Sequence, residues 1–351
     1  MEVSGKDTLV FKGSVDTRAS NGKTGLLLLD PANITIANGT GDSTADGDTS
    51  TTSFSGVPSG VTGTVITSDN PVGGTLTLYE SELEGIAATT NISLAATNAI
   101  TINNLTDNNL NLKQGVGNSV SFNSATFSMT TGDTITTAGG AININTTGTA
   151  TIGGLAANGG AVTLNVGGTS SVRAISGTGT SLTKQGTGTL TLSAANSYTG
   201  ATNINDGTLA LGNNNLIADT SAVSVVAGAT FSLGNFAETI GSLAGAGTVT
   251  KSGATARTLA VGGNNASTTF SGVIQQTGTG ALSLTKNGTG TLTLSGTNTY
   301  TGTTTISAGT LAVSGGSAIA DSSQVTLANT AGAALNLAGN ETIGNLSGGG
   351  T

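Results

Sequence analysis

Carboxylates are the one side-chain type in this sequence whose groupings could do chemistry. Asp42, Asp46 and Asp48 sit in a Gly-, Ser- and Thr-rich stretch, GDSTADGDTS. Closely spaced carboxylate oxygens are what Ca²⁺ takes as ligands, so these three are the candidate metal site. Their spacing follows neither the EF-hand loop nor the Gly-Gly-x-Gly-x-Asp calcium repeat, and a solvated acidic loop is the competing reading. Glu80, Glu82 and Glu84 alternate with Ser81 and Leu83. On a strand all three would project from one face. Paired acids are what polysaccharide hydrolysis needs. Like charges on one face repel, however, and no Lys or Arg lies nearby to position a sugar. The exposed end of a strand is the preferred reading. With no His and no Cys in 351 residues, imidazole- or thiolate-ligated metals, His-based triads and thiol chemistry are excluded. No enzyme activity and no cofactor other than a weakly indicated Ca²⁺ are expected.

Three other residue sets recur. Lys184 returns as Lys286, and Tyr198 as Tyr300. Repetition of this kind marks a packing or corner role; the alternative for the Tyr pair is two sugar-stacking platforms one repeat apart. Thr-x-Thr triplets at Thr75/Thr77, Thr189/Thr191 and Thr291/Thr293 could order water in a flat array, but their spacing is irregular. The Gly-rich runs Gly278–Gly280 and Gly348–Gly350 open no helix and are not phosphate loops.

The elements that must carry these residues are short and regular. Leu182–Leu192 (LTKQGTGTLTL) matches Leu284–Leu294 (LTKNGTGTLTL) at ten of eleven positions. The same offset aligns Tyr198-Thr199-Gly200 with Tyr300-Thr301-Gly302, and Gly207-Thr208-Leu209 with Gly309-Thr310-Leu311. After one inserted residue, Glu238-Thr239-Ile240-Gly241 matches Glu341-Thr342-Ile343-Gly344. Within and around these units, stretches such as TLTL, TLAL, VSVV and AVTLNV alternate apolar with small polar residues and are punctuated by Gly and Asn. That is the strand signal, and no segment shows a sustained helical period.

Fifty-six Gly, 3% aromatic and 8% charged residues leave a thin core of Val, Ile and Leu. Such a core suits a solenoid better than a sandwich. The expected fold is all-β, a right-handed parallel β-helix with coils of about 20–25 residues stacked at about 4.8 Å. Leu, Val and Ile point in and Thr, Ser and Asn point out, where β-branched side chains fit a pleated surface. Five segments follow: coils over 1–36, an acidic Gly/Ser/Thr loop or linker over 37–74, irregular coils over 75–181, a first repeat over 182–283 and a second, interrupted one over 284–351.

Charge is uneven. Residues 1–84 hold 11 acids and 4 bases, and the remainder 7 and 6. The acidic balance argues against a nucleic-acid partner. The longest aliphatic run, Leu26–Leu29, is far short of the ~20 residues of a membrane span. The segment after Met1 lacks the basic and apolar regions of a signal peptide, so an export signal is expected outside this segment.

Two resemblances sharpen this. Lys184–Leu192, Asn196–Gly200 and Gly207–Leu209, and again Lys286–Leu294, Asn298–Gly302 and Gly309–Leu311, resemble the autotransporter-associated β-strand repeat (Lys-x-Gly-x-Gly-Thr-Leu-x-Leu, Asn-x-Tyr-x-Gly, Gly-Thr-Leu). Gly25–Ile36 (GLLLLDPANITI) is similar to a signature of filamentous-haemagglutinin-like exoproteins. The resemblance implies a segment of a large Gram-negative surface protein, exported by a type V-like route. It further implies a non-enzymatic stalk or adhesin passenger whose partners are a host or abiotic surface, a glycan or other cells. Uncapped coil edges also allow end-to-end self-association into filaments. A polysaccharide-active β-helix enzyme is the competing class.

Overall fold

A computed structural model describes residues 32–38, 64–65, 75–86 and 88–349. The chain forms two compact units, Met1–Gly177 and Thr178–Thr351. Both are parallel β-solenoids, as expected from the alternating strands. Among the described residues the one antiparallel contact is an isolated bridge between Gly115 and Gly139.

In the first unit one face stacks Thr75–Tyr79, Asn33–Ala37, Ala99–Ile102, Thr126–Met129, Ala150–Ala156 and Ser170–Ser176 in that spatial order. Asn33–Ala37 therefore lies between two strands that both follow it in sequence. A second face carries Thr64–Val65, Ile92–Ala95, Ser119–Ser124, Ala141–Thr146 and Ala161–Val166. Thr64 and Val65 belong to the stretch expected to be loop, and they pair with Ile92 and Ser93. Phe122 and Phe127 are buried and meet edge to face at 5.4 Å.

One expectation is corrected. Glu80–Glu84 is a five-residue helical turn that follows the strand Thr75–Tyr79 directly. The alternating carboxylate row does not form. Glu is a good helix former and is depleted in strands, so the run ESELE ends the strand instead of extending it.

The second unit has three faces. The first holds Ser181–Gln185, Thr202–Ile204, Ala222–Val225, Ser242–Gly245, Thr268–Phe270, Thr291–Leu294, Thr310–Val313 and Ala334–Leu337. On the second are Thr189–Leu192, Thr208–Leu211, Thr230–Gly234, Thr248–Lys251 and Val273–Gln276. The third carries Glu238–Ile240, Arg257–Val261, Leu282–Lys286, Thr304–Ile306, Gln324–Leu327 and Asn345–Gly348. A coil takes from 18 residues (Thr230 to its partner Thr248) to 25 (Thr248 to Val273).

Alternation sorts the side chains as the pattern requires. Leu190, Leu209, Phe231, Val249 and Ile274 form one in-register inner column and are all buried. Thr189, Thr208, Thr230 and Thr248 form the matching outer column. Each fully buried Leu, Val or Phe contributes about 1.5–3 kcal/mol of burial. The inner columns hold the coils together, and the main-chain ladder fixes their register.

Candidate functional site

The recurring residues converge on three polar stations, each built twice. The first is a cage for an ammonium. Lys184 ends the inward alternation of Ser181–Gln185 and is fully buried. Its Nζ donates to the carbonyl oxygens of Gln185 (2.9 Å), Gly186 (2.6 Å) and Asp206 (3.2 Å). Lys286 repeats the cage with Asn287 (2.6 Å), Gly288 (2.7 Å) and Ala308 (3.1 Å). The sharp corner after each strand leaves these carbonyls without ladder partners, and the ammonium supplies the donors. Burial pulls the Lys184 ammonium down to about 8 and lowers Lys286 as well. Lys251, outside the shared motif, does the same work for Gly253 and Gly280 at 2.9 and 2.8 Å.

The apolar Lys184→Met variant fills the same space but leaves two or three corner carbonyls short of a donor. At about 1–3 kcal/mol for an unpaired buried group, and with the corner partly reachable by water, a loss of about 2–3 kcal/mol in urea unfolding is expected.

The second station is a hydroxyl chain. Tyr198 and Tyr300 are fully buried, so neither is a stacking platform for a sugar. Tyr198 Oη lies 2.7 Å from Thr202 Oγ1, which lies 3.2 Å from Ser221 Oγ, and Ser221 donates to the Gly200 carbonyl at 2.8 Å. Tyr300, Thr304, Ser323 and Gly302 reproduce the chain with distances of 2.7, 3.2 and 2.7 Å. Thr202 follows Leu182 and precedes Val223 in an inner column. A polar residue sits there because the Tyr hydroxyl requires a partner inside the coil. Burial raises the Tyr300 phenol to about 12 and raises Tyr198 too.

The third station joins loops to strands. Glu238, buried at the start of the third face, accepts the Leu216 and Ile217 amides at 2.9 and 3.2 Å. Asn196 Nδ2 in turn donates to the Leu216 carbonyl at 2.8 Å. In the second copy Glu341 accepts from Ala318 (3.1 Å) and Ile319 (2.8 Å), and Asn298 Nδ2 donates to the Ala318 carbonyl at 2.6 Å. Where a loop replaces a strand, side chains thus replace the missing rungs of the ladder.

Burial pushes the Glu238 carboxyl up to about 7, against the opposing pull of three backbone amides, with Asp219 adding to the rise. A carboxyl raised in the folded state favours folding below its unfolded value near 4.5. That contribution is lost as pH climbs through about 7. Between pH 4.5 and 8 the unfolding free energy should fall by up to about 3 kcal/mol on this account. Glu80 shares the window: burial, then the charges of Asp107 and Glu84, push it to about 7. Glu238 is isolated by difference. In Glu238→Gln the pH slope should shrink, whereas an unchanged slope would show that Glu238 does not titrate there.

Of the groups singled out in the sequence, Asp42, Asp46 and Asp48 lie outside the described residues. Among the described residues no set of three or more His, Cys, Asp or Glu is placed to hold a metal ion. Glu84 accepts the Asn111 amide at 2.6 Å, and Glu80 is hydrogen-bonded to Asp107. The two acids hold the helical turn against its neighbouring coil. No described helix is long and apolar enough to cross a membrane. Sequence reasoning gave no role to Glu238, Glu341, Asn196, Asn298 or Lys251. The signal available was recurrence: the two Glu and the two Asn return with the repeat although a charge or amide among apolar residues invites no packing.

The passenger-associated-transport-repeat model matches residues 182–211 and 284–313. These segments hold both Lys cages, both Tyr with their Thr partners, and both Asn; Ser221 and Ser323, which complete the hydroxyl chains, follow them. Comparison with curated proteins and with solved structures gave no match. The chain is thus a parallel β-solenoid in which two segments match the passenger-associated-transport-repeat, a repeat of autotransporter passenger domains.

Proposed function

We propose that this chain is a non-enzymatic stalk of an extracellular passenger at a Gram-negative cell surface, which holds adhesive or presented elements away from the cell. The observation that carries the reading is the fate of the recurring residues. Every Lys, Tyr, Asn and Glu repeated between the two copies is bound to the chain's own backbone or hydroxyls, and both Lys and both Tyr are buried, so the repeat keeps coil-making parts. Backbone ladders between coils make a stiff column, and its outer columns of Thr and Ser keep a surface of low charge soluble. Adhesion itself, to a host or abiotic surface, a glycan or other cells, is assigned to parts outside the repeat core.

The test has two arms. Antibody against the chain should label intact cells of the source strain, and labelling that requires permeabilisation would overturn the surface assignment. A reducing-sugar assay over a panel of polysaccharides should show no release, and robust turnover would replace the stalk by an enzyme.

A further inference from the structure

The repeat and the coil have different periods. Ser181–Gln185 lies on the first face of the second unit, but its counterpart Leu282–Lys286 lies on the third. Thr189–Leu192 is on the second face, and its counterpart Thr291–Leu294 on the first. Along the chain the faces come in the order first, second, third. From Leu182, four rungs of the first face lead to Thr268–Phe270, and the second-face strand Val273–Gln276 then precedes Leu284. One repeat is therefore four coils and two further faces, a rise of about 22 Å at ~4.8 Å per coil.

Side chains make this slip possible. In the first copy, loops 193–200 and 212–220 take the place of strands below Glu238, where the third face begins. In the second copy the corresponding loops sit on the second face. The last strand there, Val273–Gln276, is closed by Asn298: the Ile274 amide donates to Asn298 Oδ1 at 2.7 Å, and Thr299 N–H donates to the Ile274 carbonyl at 3.0 Å. The Asn of each copy sits in the first loop of the pair and holds the second, and the Glu accepts from the second loop in turn. Asn298 ends one sheet and Glu238 begins another, each without exposing a bare edge.

We infer that the repeat is a face-switching element that deals its paired loops onto different sides of the solenoid. The inference goes beyond the stalk reading and does not depend on whether the surface is adhesive.

Because the chain has no Cys, spin labels can be placed freely. Ser197 and Thr299 are equivalent exposed loop positions. In the variant with Ser197→Cys and Thr299→Cys, loops stacked on one side would give a distance of about 22 Å. Loops on different faces add a sideways separation of roughly one strand length, ~20 Å, and bring the distance to about 30 Å. Thr191→Cys with Gln275→Cys, four rungs apart on one face, is the ruler and should read about 19 Å. A loop distance near 30 Å supports face switching. A distance near 22 Å with a correct ruler overturns it while leaving the stalk reading intact. Thr220→Cys with Ser322→Cys, exposed on the second loop of each pair, repeats the measurement if the first variant fails to fold.

Discussion

Gly207→Ala should lower the urea-unfolding free energy of the second unit by about 3 kcal/mol. Gly207 has φ +59°, and a Cβ there would stand 2.5 Å from the carbonyl oxygens of both Gly186 and Gly188. Left-handed backbone costs an L-residue about 1 kcal/mol or more, and forcing a methyl into packed backbone costs a further 1–3. Neither obstacle is a movable side chain. Gly309 repeats the arrangement, with φ +63° and the carbonyls of Gly288 and Gly290 at 2.5 and 2.6 Å. Gly309→Ala should therefore cost the same, and the double variant about the sum, since the sites share no partner. The spacing of three glycines in Lys-x-Gly-x-Gly and Gly-Thr-Leu thus has a single cause: the corner of one coil sits on the corner of the next with no room for Cβ. A loss below about 1 kcal/mol in far-UV circular dichroism melts would contradict this packing.

Tyr198→Ala should cost about 3–5 kcal/mol, the range for emptying a buried aromatic site. Tyr198 is fully buried, within the loop 193–200 that replaces a strand. The conservative variant separates packing from polarity. Tyr198→Phe keeps the ring but removes the partner of Thr202, for about 1–1.5 kcal/mol. Equal losses for the two variants would mean that the hydroxyl chain, and not the ring, carries the station. A surface role, by contrast, predicts little loss from either and a change in ligand binding.

Much of the fold was legible because its information is local. Thr189–Leu192 and Thr208–Leu211 alternate at period two, and Gly and Asn mark the corners between them. The exact near-duplication of Leu182–Leu192 announced stacked, equivalent coils. What was not legible depends on where a residue lies around the coil. Loops 193–200 and 295–302 are near copies, yet they occupy different faces, because coil lengths from 18 to 25 residues accumulate to a non-integral turn. Nor does local pattern reveal that Asn33–Ala37 inserts between two later strands. Glu80–Glu84 shows the reverse failure. Its alternation looks like a strand, but intrinsic helix preference decides a short stretch at the end of a face. Glu238 and Lys184 were hidden because charge usually means surface, and only the positions of the unpaired amides and carbonyls show why a charge is needed inside.

Disulfide trapping tests the in-register parallel coil most directly. Thr189 and Thr208 face outward on adjacent rungs, while Thr189 and Thr230 are two rungs apart. Adjacent parallel strands lie about 4.8 Å apart, within reach of a disulfide, and two rungs exceed the ~7 Å limit. Under mild oxidation, Thr189→Cys with Thr208→Cys should crosslink within the folded chain, and Thr189→Cys with Thr230→Cys should not. Efficient crosslinking of the second pair, or none in the first, would contradict the solenoid.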